Sequence, residues 1–269
     1  MKKLALVLAI VLMCSLVLAG CSQKEAYDLY MDMNEAMLGV TSSDVSADVN
    51  MKMTAAGESF DISMKMDIQQ ITRSETDIDV KMDITMGLGE LGAMMGMEEI
   101  VMNMYFTDGN MYYDMMGQKM KIAMDLESAM EMMGVGDVGA MSIDFDKESI
   151  AESSVKSVGD DKELSFVLRG EMLSNVIDQM VGSMMQNMGL GDDMQISFGD
   201  VSYTALIGKD SLPKTEHMVF SMNMDIMGES ATADYDMFMT NHSFNSIDVI
   251  EFPDFSDYLE VDASLMGMM

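Results

Sequence analysis

Cys21 carries the most reactive group in the chain, a thiol that follows Leu18-Ala19-Gly20 at the end of an apolar run opened by Lys2 and Lys3. The run from Leu4 to Leu18 has the length and flanks of a secretory leader and is too short for a stable membrane span. Small residues before a cysteine resemble the bacterial lipobox, in which the thiol takes a diacylglycerol and cleavage makes the cysteine the first mature residue. The plain alternative is an ordinary leader followed by a chance cysteine. Residues 1–20 are therefore expected to be a lipoprotein signal peptide. Two palmitate-type chains on Cys21, at about 0.8 kcal/mol per buried methylene, hold the product on the extracytoplasmic face of the cell membrane.

Thioether sulfur is the second available chemistry, since 40 of 269 residues are methionine. Met51, Met53, Met64, Met66, Met82, Met120, Met124, Met222, Met224 and Met237 recur in phase with Val, Ile, Phe or Tyr, as do Ile84, Phe198 and Tyr235 among them. The simplest use is as core filler in place of aliphatic residues. A sharper use, compatible with the first, is an adaptable cavity lining for an apolar ligand. Met-x-Met pairs such as Met51/Met53 and Met222/Met224 also suit Cu(I), although alternation alone produces that spacing. Specific copper sites often add imidazole or thiolate, and here His217 and His242 are the only histidines, while Cys14 goes with the leader and Cys21 is acylated. No metal or cofactor is expected.

Enzyme signatures are missing: there is no Gly-x-Ser-x-Gly elbow, His-Glu-x-x-His, P-loop or dinucleotide fingerprint. The formal charge is −31, and loss of Lys2 and Lys3 with the leader leaves 13 basic and 46 acidic side chains, or −33 (13 − 46). Nucleic acid is excluded as a partner at that charge, with Arg73 and Arg169 the only arginines. Acid pairs such as Asp160-Asp161 and Asp192-Asp193 lack the ligand spacing of a calcium loop and read as solvated surface.

These side chains need elements to position them. Lys24 to Leu38 reads as a loosely amphipathic helix carrying Tyr27, Tyr30, Met31, Met33, Met37 and Leu38 among acids. Three segments of period two follow, led by Val45–Met53, Phe60–Ile68 and Ile78–Met86, each with one dry and one wet face. Opposite charges favour direct cross-strand pairing. Met53 opposite Phe60 sets Lys52 against Asp61 and Asp48 against Lys65; Met66 opposite Met82 sets Asp67 against Lys81 and Lys65 against Asp83. Both registers are expected.

Residues 87–100 form a loop or short helix, and strands resume at Val101–Phe106, Met111–Met116 and Lys119–Asp125. Leu126–Met133 is a short helix, Glu163–Arg169 a strand and Glu171–Met188 a longer helix. Strands Gln195–Ile207, Thr215–Met227 and Ala231–His242 finish the sheet, with Phe244–Pro253 extended. Strand and helix do not alternate, so an antiparallel meander with helices on one side is the fitting class. With two prolines and no linker, residues 21–269 are expected to be a single domain.

Leu18 to Cys21, the early helix, the alternating strands, the helix from Glu171 and the ending Phe244-Asn245-Ser246-Ile247-Asp248-Val249-Ile250-Glu251-Phe252-Pro253 together resemble a family of bacterial surface lipoproteins of unknown function, related to the LolA, LppX and LprG lipoprotein and lipid carriers. The resemblance implies an α+β, mostly β fold: a curved antiparallel half-barrel with helices packed over its concave face, enclosing an apolar cavity that in the carriers holds acyl chains. It implies a non-catalytic, anchored protein that binds or carries a lipid or other hydrophobic ligand. The alternatives are an interaction protein of the cell envelope with no ligand, and Met-based Cu(I) binding.

Overall fold

Wherever alternation is sustained in this sequence, the backbone is extended and paired. The structure is a computed structural model that describes residues 23–55, 57–74, 76–126, 128, 147–171, 194–226 and 229–261. Helix α1 spans 23–37. It is followed by β1 Ser42–Ala55, β2 Glu58–Ser74, β3 Asp77–Gly87, helix α2 Gly89–Met95, β4 Glu99–Thr107, β5 Asn110–Met115 and β6 Gln118–Ala123. After a 3-10 turn at Lys147–Ser149 come β7 Ile150–Val158, β8 Asp161–Leu168, β9 Met194–Phe198, β10 Val201–Ile207, β11 Pro213–Ile226, β12 Glu229–Phe244 and β13 Leu259–Glu260. All belong to one open, curved sheet of 13 strands in the order β13-β6-β5-β4-β3-β2-β1-β12-β11-β10-β8-β7, with β9 beside β11. Every pairing is antiparallel except that of β13 with β6. The expected mostly β, α+β fold is the one observed. The helices expected at Leu126–Met133 and Glu171–Met188 lie, beyond their first residues, outside the described residues.

One face of the sheet is dry. Helix α1 lays Ala26, Leu29, Tyr30 and Met33 onto Ile150, Leu164, Phe166, Leu168, Val201, Tyr203, Ala205 and Ile207. These helix positions recur at three and four residues, while Met31 and Leu38, expected on the same stripe, point to solvent. Tyr30 meets Phe166 edge-on at 5.5 Å. A second cluster gathers Val80, Met82, Ile84, Met104, Phe106 and Met111 from β3, β4 and β5. On the opposite face the C-terminal segment lays Phe252, Phe255 and Tyr258 over Tyr105 and Tyr112, with Phe255 stacked on Tyr112 at 3.7 Å.

The first hairpin has the expected register: Met53 faces Phe60, Lys52 faces Asp61 and Asp48 faces Lys65. The second does not. Met66 lies opposite Ile84 rather than Met82, so Asp67 faces Asp83 and Gln69 faces Lys81. A shift of two residues leaves the dry face dry, so hydrophobic patterning is indifferent to it. The register then shifts at Arg73, between Thr72 and Ser74, so that Ser74 pairs with Asp77 across a two-residue turn. Arg73 donates to Asp77 at 3.0 Å and to Asp79 at 2.7 Å, tying the turn down. Asp83 is compensated by Lys81 on its own strand at 3.4 Å and by Asn103 at 2.7 Å.

Two further corrections concern the other half of the sheet. Gln195–Ile207 is not one strand but β9 and β10, broken at Gly199-Asp200. Phe198 pairs with Met222 and Ser202 with Val219, an extra residue on one side that moves the dry phase from Ile196 and Phe198 to Val201 and Tyr203. Glycine is required there, because a side chain at Gly199 would run into the Ser221 hydroxyl and one at Gly170 into the carbonyls of Phe198 and Gly199. Strand β7, unanticipated because Ser153, Ser154 and Ser157 dilute its apolar phase, is the sheet's edge, where half a dry face suffices.

Candidate functional site

Residues directly opposite one another in a sheet share a face, so the registers locate every candidate lining residue. Starting from β6, Met120 faces Tyr113, Tyr113 faces Met104, and Met104 faces Met82. Ile84 faces Met66, Met66 faces Ala47, and Met64 faces Val49. Val49 faces Met237, Met51 faces Tyr235 and Met53 faces Ala233. Met237 faces Met218, Met222 lies between Ala233 and Phe198, and Met224 between Ala231 and Ile196. Met124 follows β6 and packs against the second cluster. All the candidates therefore lie on the dry face.

They are not equivalent. Met82 and Ile84 are buried at 3 % and 7 % exposure, and Met64, Met66 and Met124 pack against their cluster. Met51, Met53, Phe198, Met222, Met224, Tyr235 and Met237 are half-buried, on strands β1, β9, β11 and β12 between the two clusters. Ring stacking continues through this stretch, with Phe220 on Tyr235 at 4.6 Å and Phe198 at 6.4 Å from Phe220.

One acid interrupts this apolar face. Glu216 sits on β11 in phase with Met218 and Phe220, between Ala205 and Met239. Its Oε2 accepts from the Tyr203 hydroxyl at 2.7 Å, and Oε1 from the Asn241 amide at 3.5 Å. The same hydroxyl approaches the Met33 sulfur at 4.0 Å, tying α1 into the network. Burial raises the pKa of Glu216 against the pull of its two hydrogen bonds, and burial with the neighbouring carboxyl pushes Tyr203 well up. Glu216, Tyr203 and Asn241 were not singled out from the sequence. The signal was present: an acid in the dry phase of Thr215-Glu216-His217-Met218.

Both imidazoles lie on the face opposite the dry one. His217 Nε2 meets Asp236 at 2.8 Å, and His242 Nε2 meets the Ser46 hydroxyl at 2.9 Å. They are thus on the opposite side of the sheet from the methionine pairs, and a mixed thioether–imidazole site does not assemble within it. No group of three or more His, Cys, Asp or Glu suited to a metal occurs among the described residues. Cys21 lies outside them, but Gln23, two residues on, donates to the carbonyls of Lys147 at 3.2 Å and Ile150 at 2.9 Å. No helix among the described residues is long and apolar enough to cross a membrane.

A family model described as a family of unknown function, DUF6612, matches residues 25–255. No curated protein matches the chain. Among solved structures, the chain is similar to LprF from Mycobacterium bovis at 12 % identity, covering 87 % of this chain and 98 % of that one, with a TM-score of 0.44. It is similar to the Mycobacterium tuberculosis lipoprotein LppX at 7 % identity, covering 85 % and 99 %, with a TM-score of 0.36. A putative outer membrane lipoprotein-sorting protein domain from Vibrio parahaemolyticus matches at 8 % identity, covering 88 % and 97 %, with a TM-score of 0.23.

Proposed function

The chain belongs to the DUF6612 family of unknown function, and we propose that it is a non-catalytic lipoprotein, anchored through Cys21 on the extracytoplasmic face of the cell membrane, whose concave face binds a lipid or other apolar ligand. The observation that carries this reading is the broad apolar face, interrupted by Glu216, which keeps Met51, Met53, Met222, Met224 and Met237 half-buried where a finished core would bury them. Flexible thioethers suit a ligand of variable shape. Native mass spectrometry with lipid extraction tests it, on the chain starting at Ser22 and purified without detergent. A stoichiometric co-purifying lipid is the expected result. A bare protein mass that persists after incubation with lipid vesicles sinks the reading.

The second reading is an envelope interaction protein whose face is filled by its own side chains, favoured by the full burial of Met82, Met104 and Met111. It predicts the bare mass. Copper has less support, since the imidazoles are on the other face; anaerobic Cu(I) titration without saturable binding removes it.

A further inference from the structure

Gln23 does more than open a helix. Its two hydrogen bonds to Lys147 and Ile150 fasten the start of α1 to the start of β7. Cys21 precedes it by two peptide steps, which span at most about 7 Å. A lipid anchor on Cys21 is therefore held at one corner of the sheet, with no slack between anchor and body.

The registers say which corner. Ile150 faces Leu168 and Leu168 faces Val201. Through the Ser202–Val219 pair this row continues to Phe220, which faces Tyr235, and on to Met51. Helix α1 runs away from that row: Tyr30 meets Phe166 and Tyr203 edge-on, and Met33 reaches the Tyr203 hydroxyl beside Glu216. On the other side of the row, beyond the start of α1, the dry face continues as Met53, Phe60, Ala233, Met222, Phe198 and Met224. All but Ala233 are half-buried, whereas Ile150, Leu168 and Val201 are 1–2 % exposed. Apolar surface thus extends toward the anchor past the point where the helix stops covering it.

We propose that this end of the sheet docks against the bilayer that holds Cys21, so that the concave face is filled from the leaflet in which the protein is anchored and the protein does not travel. The occupant of the rows beyond α1 is membrane lipid, because the tether is shorter than a single acyl chain is long and brings the β7–β10 corner, with Phe198 beside it, to the headgroup region, from which Met53 and Phe60 continue along the same end of the sheet. The proposal rests on the anchoring half of the reading above and not on lipid carriage.

The chain contains no tryptophan, so single-tryptophan reporters are clean. The full lipidated protein is placed in phosphatidylcholine vesicles containing brominated lipid, as three variants: Phe60→Trp, Phe198→Trp and Phe244→Trp. Phe244 pairs with Ser43, ten residues along β1 from Met53, or about 33 Å. Several-fold quenching of the first two variants with the third unaffected is the expected result, and a flexible linker of about twenty residues between Ser22 and Gln23 abolishes the difference. Equal quenching at all three positions, or none at Phe60→Trp and Phe198→Trp, overturns the proposal; the latter means these rows are covered by another part of the chain, such as residues 172–193. An intact mass showing Cys21 unacylated overturns it at its premise. Lipid extraction from the same samples separates the two ideas, since docking without a carried lipid removes only carriage, and a carried lipid without quenching removes only docking.

Discussion

Burial raises the Glu216 carboxyl above its ordinary range. The sign of the consequence follows from linkage. The native state holds this proton to higher pH than the unfolded chain does, so its stabilising effect is complete below the unfolded glutamate value and is lost as pH rises through the raised native value. Glu216→Gln keeps one acceptor oxygen for the Asn241 amide, turns the Tyr203 hydroxyl from donor to acceptor of the new NH2, and removes the titration. Chemical denaturation across pH 4 to 8 is expected to show the native protein losing stability relative to this variant as pH rises; parallel curves contradict it. Tyr203→Phe removes the donor at 2.7 Å and is expected to cost about 1–3 kcal/mol. Position in the dry phase also grades the methionines. Met82→Ala, at 3 % exposure, is expected to cost about 2–5 kcal/mol, whereas half-buried Met51→Ala costs about 1 kcal/mol; urea midpoints test the contrast.

At the level of elements, α1 is held by side chains rather than by propensity, since a helix of this length is marginal alone. Tyr30 contributes most, edge-on to Phe166 at 5.5 Å and to Tyr203 at 6.2 Å. Tyr30→Ala is expected to cost about 3–5 kcal/mol and to release α1, read as faster amide exchange across 23–37. Strand pairing makes a second prediction. Asp67 faces Asp83 directly, and like charges at that spacing repel. Asp67→Lys is expected to stabilise the protein by up to about 1 kcal/mol, less at high salt. In the register expected from the sequence the same change would set lysine against Lys81 and destabilise. The ending from Phe244 to Pro253 gains a physical role here: Asn245 accepts from the Thr41 backbone at 2.6 Å, and Ile247 donates to the Ser42 hydroxyl at 3.2 Å, fixing where β1 begins.

Across the whole molecule, charge sets behaviour. The formal charge is −31, and the ion pairs that offset it are largely on the surface, such as Lys65–Asp48 at 3.9 Å and Lys209–Asp160 at 3.0 Å, each of little worth. Self-repulsion therefore outweighs them, and the thermal midpoint is expected to rise as salt is added up to roughly 0.5 M. A midpoint that falls would show that ion pairs dominate. The same charge keeps the body off anionic lipid unless a tether forces contact. Cys21→Ala is expected to move the protein out of the membrane fraction, read by fractionation of cells.

Period-two alternation by itself determined which side chains share the dry face, because strand geometry assigns each residue a side before any partner is known. It placed Met51, Met82 and Met222 on one surface, and the short turn at Ala55-Gly57 with matched charges brought Lys52 to Asp61. Only the tertiary structure decided the rest. The second register goes with the shift at Arg73 and the clamp of that side chain on Asp77 and Asp79, since a two-residue shift leaves burial unchanged and charges at the surface weigh too little to choose. The phase change at Gly199-Asp200 needed the close approach of Ser221 from a neighbouring strand. The burial of Glu216 needed Tyr203 from β10, Asn241 from β12 and Met33 from α1 to meet over one carboxyl, and spacing along a chain does not encode contacts among elements so far apart in sequence.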